Sequence, residues 1–170
     1  VARQKFPSLL VTSDYAKIPE GLDLAYSLFD VVNYQVSDEE VEVFFRALAS
    51  KLARGATLVV DGWHYAGVAQ DPPEMRERNI LFESSIITRR VIPTTSNNYR
   101  TTVLDITLED KARSEVLTNE SHIMRAFDAA ELEKFATSCG FKDVSFRDGG
   151  DWDKDLRSNS WRFVMFAEKA

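Results

Sequence analysis

The chain has 170 residues, 44% of them hydrophobic and 28% charged, with a formal net charge of -6 and a pI near 5.0. One domain is the default at this length. The acidic balance argues against a broad nucleic-acid surface, and no apolar run approaches the roughly 20 residues that cross a bilayer. Cys139 is the single cysteine, which excludes an internal disulfide and a cysteine metal cluster and fits a reducing, cytoplasmic setting.

Val1 to Lys5 read as the end of a helix that Phe6-Pro7 stops, because proline biases the preceding residue away from helix. Ser8 to Thr12 (SLLVT) is a short buried-type strand ending at Ser13-Asp14-Tyr15. Asp14, just past a strand end, has the chemistry to accept a hydrogen bond from a ligand amine; the competing reading is a turn-forming aspartate.

From Leu22 to Tyr65 the pattern is strand, loop, helix, turn, strand: LDLAYSLFDVVNYQ, SDEEVEVFFRALASKLARG, ATLVVDGWHY. Two apolar runs around an amphipathic helix predict a parallel crossover unit, and such units place ligands at the carboxyl ends of their strands. Those ends are Ser27-Leu28-Phe29 and Asp61-Gly62-Trp63-His64. Ser37 is the expected N-cap, with Glu40 completing a capping box and Val36 and Val41 a hydrophobic staple. Asp38, Glu39 and Glu40 suit the positive end of the helix dipole. Val41, Phe44, Phe45, Leu48 and Leu52 form one apolar face, and Gly55 is expected to stop the helix in a left-handed conformation.

Ala66 to Asn79 reads as a loop with one helical turn at Glu74 to Arg78. Three strand-like segments follow: Ile80 to Ile92, Tyr99 to Leu108, and Glu115 to Arg125. They predict an antiparallel meander. Glu120, His122 and Met124 share a face by the two-residue period. Asp128 then caps a second helix, with Glu131 three residues on. Leu132, Phe135 and Ala136 form its buried face, and Gly140 closes it. Phe141 to Phe146 is a strand, RDGGDWDKDLRSNS a polar loop, and Trp161 to Glu168 a last strand. The run Phe163-Val164-Met165-Phe166 is apolar throughout, so that strand belongs inside the sheet.

In this order the segments resemble the C-terminal two-thirds of a class I S-adenosylmethionine-dependent methyltransferase, and in particular small-molecule and sugar N-methyltransferases. SLLVTSDYAKIP is similar to the family's third strand, and LDLAYSLFDVVNYQVSDEEV to its fourth strand and loop. KLARGATLVVDGW is similar to the segment before the fifth strand, with Arg54 and Ala56 where the family prefers Pro and Gly. NESHIMRAFDAAELEKFATSCGF resembles the E-x-H-x-M-R-x-F run, and SWRFVMFAEK the antiparallel last strand. The resemblance implies an α/β, Rossmann-like methyltransferase sheet that is incomplete, its first strands missing, with an antiparallel β meander insertion. The partial core is 1–79 and 126–170, and the substrate-side insertion 80–125. No Gly-rich loop after a first strand occurs in the sequence, nor the acidic residue that would hold a ribose. The first two strands are therefore expected to lie before Val1, the fourth strand to present a bare edge, and this stretch alone to bind cofactor weakly or not at all and to be inactive by itself.

The resemblance implies S-adenosylmethionine as cofactor, with Asp14, Tyr15, Ser27, Leu28 and Phe29 around it, and a small-molecule substrate met by Asn33, Tyr34, Trp63, Tyr99 and Arg125. It leaves homo-oligomerisation open and calls for no nucleic-acid or membrane partner. Methyl transfer needs a positioned nucleophile and a place for its proton, so the two histidines are the catalytic candidates. His64 follows a strand end; its competing reading is a surface-loop histidine. His122 lies two residues from Glu120, a pair able to orient the imidazole or a substrate amine; the competing reading is a structural hydrogen bond. The spacing of both histidines with Glu120 and Asp61 matches no metal motif, so no metal is assigned. The alternative to an enzyme is a non-catalytic methyltransferase-like binding or scaffold domain.

Overall fold

The computed structural model describes residues 15–82 and 85–170, so the expected strand at 8–12 lies outside the described residues. The crossover unit is present. Strand β1 (Leu22–Ser27) leads through a short 3-10 turn to helix α1 (Asp38–Lys51) and then to β2 (Leu52–Trp63), which runs parallel to β1. Ser37 and Glu40 form the capping box, with the Ser37 hydroxyl accepting from Glu40 N–H and the Glu40 carboxylate from Ser37 N–H.

The helix ends at Lys51, earlier than expected, and Leu52 is already extended. Gly55 does adopt a positive φ of 80°, but inside β2, where the pairing with β1 slips between Leu52 and Thr57. The glycine therefore serves a strand bulge rather than a helix stop.

Helix α2 (Tyr65–Gln70) follows β2, in what the sequence presents as a loop. Its buried Gly67 and Val68 explain the difference: a Cβ on Gly67 would lie 2.3 Å from the Ser160 carbonyl oxygen, so the helix forms by close packing against a distant loop. Four strands then make a separate antiparallel sheet: β3 (Arg76–Phe82), β4 (Ser85–Thr95), β5 (Thr101–Asp110) and β6 (Glu115–Arg125), in that order. The expected helical turn at Glu74 to Arg78 is partly strand, and the expected single strand from Ile80 is a hairpin with Phe82 opposite Ser85. The apolar run through Ile80, Ile86 and Ile87 hid that reversal.

Helix α3 (Ala129–Ser138), with the expected Asp128–Glu131 capping box, precedes β7 (Phe141–Asp148). The polar loop contains a short strand, β8 (Asp151–Asp155), before β9 (Arg162–Lys169). The main sheet has the order β1-β2-β9-β7-β8. β9 is antiparallel to both β2 and β7, in the interior position its apolar run demands. Among the described residues β1 has one neighbour, so its far edge is unpaired.

The core lies between this sheet and helices α1 and α3. Val41 and Phe45 of α1 and Leu132 of α3 are fully buried against Leu58, Val60, Phe141, Phe163 and Met165. Each such side chain contributes about 1.5–3 kcal/mol of transfer free energy. A smaller cluster of Trp63, Val68, Met124 and Ala126 roots the meander on the tip of β2. Among the described residues no helix is long and apolar enough to cross a membrane.

Candidate functional site

The carboxyl ends of β1 and β2 lie side by side, with Ser27 opposite Val60. Beyond Ser27 the chain turns sharply. Phe29 and Asp30 both adopt positive φ, 66° and 65°, a conformation that non-glycine residues rarely hold without a reason. The turn leaves Phe29 86% exposed and brings Asp30 N–H to donate to Asp61 Oδ1 at 2.9 Å. Arg162 closes the group, its Nη2 at 2.9 Å from Asp61 and 2.7 Å from Asp30. The Asp30 contact is ionic proximity without hydrogen-bond alignment. Burial, with the charge of Asp61 added, raises the Asp30 pKa above its ordinary value against the pull of Arg162. Ser27 is buried, and its hydroxyl has no partner among the described residues.

The 3-10 turn after this tip carries Asn33 and Tyr34. Asn33 is fully buried; its Oδ1 accepts from Trp63 N–H at 3.1 Å and its Nδ2 donates to the Arg125 carbonyl at 2.5 Å. It thereby ties the β1 loop, the tip of β2 and the base of the meander together. The Tyr34 hydroxyl lies 3.1 Å from His122 Nδ1, and His122 Nε2 lies 3.1 Å from Glu120 Oε2. The two rings meet edge to face with centroids 5.7 Å apart. The Glu120–His122 pair expected from the sequence and Tyr34, named apart from it, thus form one hydrogen-bonded file from β6 to the loop after β1.

The other named residues are placed differently. Leu28 is half-buried at the β1 tip. Trp63 is buried against Trp161, their rings 5.0 Å apart. His64 is not a surface-loop residue: it is buried, its Nδ1 is 2.9 Å from the Ser160 carbonyl, and its backbone begins α2. Arg125 does not stand free for a substrate. Its guanidinium pairs with Asp38 at 2.7 Å and with Glu131, and it stacks 4.8 Å over Phe127. Burial works against its charge, but the hydrogen bonds to Asp38 and Glu131 raise its pKa further.

Tyr15 lies away from the tips. Its hydroxyl donates to the Ala47 carbonyl and its ring sits under Lys51, at the end of α1 that feeds the start of β2. Tyr99 occupies the β4–β5 turn with φ 58°, its N–H donating to the Ser96 carbonyl. Neither residue is hydrogen-bonded to the strand tips or to the Tyr34–His122 file. Asp14 lies outside the described residues.

Between the tip of β2 and the meander runs a cleft of about 460 Å³, lined by Trp63, Trp161 and Arg162 and by Val91, Leu104 and Arg89. Sequence reading passed over Asp30, Arg162, Trp161 and Arg89 as site residues. The available signals were an aspartate immediately after a strand end and an arginine at the start of an interior strand. Among the described residues no group of three or more His, Cys, Asp or Glu side chains could hold a metal ion.

No family model matches the sequence, and no curated protein matches it. Solved structures do match. An S-adenosylmethionine-dependent methyltransferase from Clostridium acetobutylicum ATCC 824 superposes with a TM-score of 0.76 at 17% identity, over 99% of this chain and 70% of that one. CalS10, an amino pentose methyltransferase from Micromonospora echinaspora solved with S-adenosylmethionine bound, gives 0.71 at 18%, over 99% of this chain and 68% of that one. The sugar N-methyltransferase KedS8 from Streptoalloteichus sp ATCC 53650 gives 0.72 at 16%, over 96% and 64%. With its parallel crossover, its interior antiparallel β9 and these superpositions, the chain has the class I S-adenosylmethionine-dependent methyltransferase fold.

Proposed function

We propose that this chain is the later part of a longer protein that transfers a methyl group from S-adenosylmethionine to a nitrogen or oxygen of a small molecule. The observation that carries the reading is the Tyr34–His122–Glu120 file, which stands beside the paired strand tips of a methyltransferase fold. Two of the similar structures are named an amino pentose methyltransferase and a sugar N-methyltransferase, which favours nitrogen. Similar chains that are longer than this one, covered over 70% and 68% of their length, support the longer protein.

The residues at the β1 tip suit a cofactor. Ser27 offers a buried hydroxyl without a partner among the described residues, and the left-handed pair Phe29 and Asp30 bends the backbone away from the strand end. Ser27, Leu28 and Phe29 would hold S-adenosylmethionine, which supplies an electrophilic methyl carbon when bound.

The chain's own task is to orient the acceptor and take its proton. A neutral His122 that donates from Nε2–H to Glu120 leaves Nδ1 as the acceptor of the Tyr34 hydroxyl. Tyr34 then relays a proton from the acceptor to Nδ1, and Glu120 stabilises the imidazolium that forms. Trp63 provides an apolar wall for the acceptor. Asn33 and Arg125 act through the positions they fix.

Titration calorimetry of the full-length protein with S-adenosylhomocysteine tests the reading. Saturable binding is expected, and weaker binding when Ser27→Val removes the tip hydroxyl. An intact, folded protein that takes up none overturns it.

A further inference from the structure

The two faces of the β3–β4 hairpin treat charge differently. On one face Glu77 stands opposite Arg90 and pairs with it at 2.8 Å. On the other, Arg78 stands opposite Arg89, and Arg76 lies two residues before Arg78 on the same face. None of Arg76, Arg78 and Arg89 has an ion-pair partner among the described residues. Like charges placed directly opposite each other on a sheet are unfavourable. Here one such pair, with a third arginine beside it, stands in a protein of net charge -6. The alternation of the strands puts Arg76 and Arg89 into the wall of the cleft that Trp63 and Trp161 floor.

We propose that this cleft binds an anionic group, phosphate or carboxylate, attached to a flat apolar body, and that Arg76 and Arg89 are its specificity residues. The inference rests on reading the cleft as the acceptor side of the methyl-transfer site, and it names the acceptor's chemistry. A guanidinium presents two parallel donors to a carboxylate or phosphate, and two guanidiniums on neighbouring strands can hold one such group from two sides. The tryptophans supply the apolar floor for the ligand's body. Asp71 and Glu74 also line the cleft, and neither has an ion-pair partner among the described residues. Their charges oppose a polyanion and limit the ligand to one compact anionic group.

The test is titration calorimetry of the full-length protein with phenyl phosphate, benzoate and phenol. Binding of phenyl phosphate or benzoate is expected, with phenol about tenfold weaker or worse, since it lacks the charge-assisted contacts. Whichever anion binds more tightly identifies phosphate or carboxylate as the group recognised. Arg89→Gln and Arg76→Gln should each lose about tenfold in anion affinity, while Arg90→Gln on the opposite face should lose none. Phenol binding as tightly as the anions, no anion binding at millimolar concentration, or an equal loss in all three variants overturns the proposal. S-adenosylhomocysteine titrated in parallel separates the two readings. Its binding without anion binding removes only this inference, and anion binding without it removes the methyl-donor reading instead.

Discussion

Tyr34 and His122 are 88 residues apart in sequence, yet the tyrosine hydroxyl lies 3.1 Å from the imidazole Nδ1. One residue belongs to the loop after a parallel strand and the other to the last strand of the meander. The contact ties the loop after β1 to the meander, and in the proposed relay it is where the acceptor's proton would go. Removing the hydroxyl with Tyr34→Phe is expected to lower kcat about 10- to 100-fold, and His122→Gln about 100-fold or more, with smaller changes in KM. Glu120→Gln should fall between wild type and His122→Gln, because it orients the ring without taking the proton. Steady-state kinetics across pH check this; a full-length His122→Gln enzyme with unchanged kcat and pH profile would remove the relay.

Asn33 links three elements through one side chain. Asn33→Ala would leave the Trp63 N–H and the Arg125 carbonyl unsatisfied in a buried setting. The expected loss is about 2–4 kcal/mol of stability, measurable by urea denaturation. Asn33→Asp keeps the acceptor for Trp63 but adds a buried charge beside the Arg125 carbonyl, and it should be no more stable than the alanine variant.

Glycine matters in two separable ways. A Cβ on Gly67 would stand 2.3 Å from the Ser160 carbonyl oxygen and 2.6 Å from Trp161 Cα, both backbone atoms. Gly67→Ala should therefore cost about 3 kcal/mol and displace α2 from Trp161. Gly21 has φ 73° with nothing within 4 Å of a built Cβ, so Gly21→Ala should cost about 1 kcal/mol of backbone strain alone. Equal thermal shifts for the two variants would contradict this distinction.

Acid stability should depend on Ser160. Its hydroxyl donates to Asp148, and with the Gly150 N–H it lowers the Asp148 pKa below the ordinary value. A depressed carboxylate contributes stability above its unfolded pKa, and that stability is lost as pH falls through the folded value. Ser160→Ala should thus destabilise by about 1 kcal/mol near neutral pH, and the gap to wild type should narrow below about pH 3. Urea midpoints at pH 7 and at low pH give the comparison; a gap that widens in acid would reverse the assigned sign.

The sequence by itself determined the local elements. The capping boxes at Ser37 and Asp128, the crossover of β1, α1 and β2, and the interior place of β9 all follow from patterns that span a few residues. Side-chain periodicity and cap chemistry act over that range, and so does the resemblance that named the fold. Tertiary structure alone decided which groups are free and which are occupied. Arg125 looks like a substrate cation until Asp38, 87 residues away, takes its guanidinium. His64 reads from the sequence either as a catalytic candidate at a strand end or as a surface-loop residue, and the loop ending at Ser160 buries it. Arg89 draws no notice in the sequence, and only the pairing with β3 sets it opposite Arg78 and into the wall of the cleft. Charge compensation and burial depend on distant chain segments meeting, and no short-range pattern encodes those meetings.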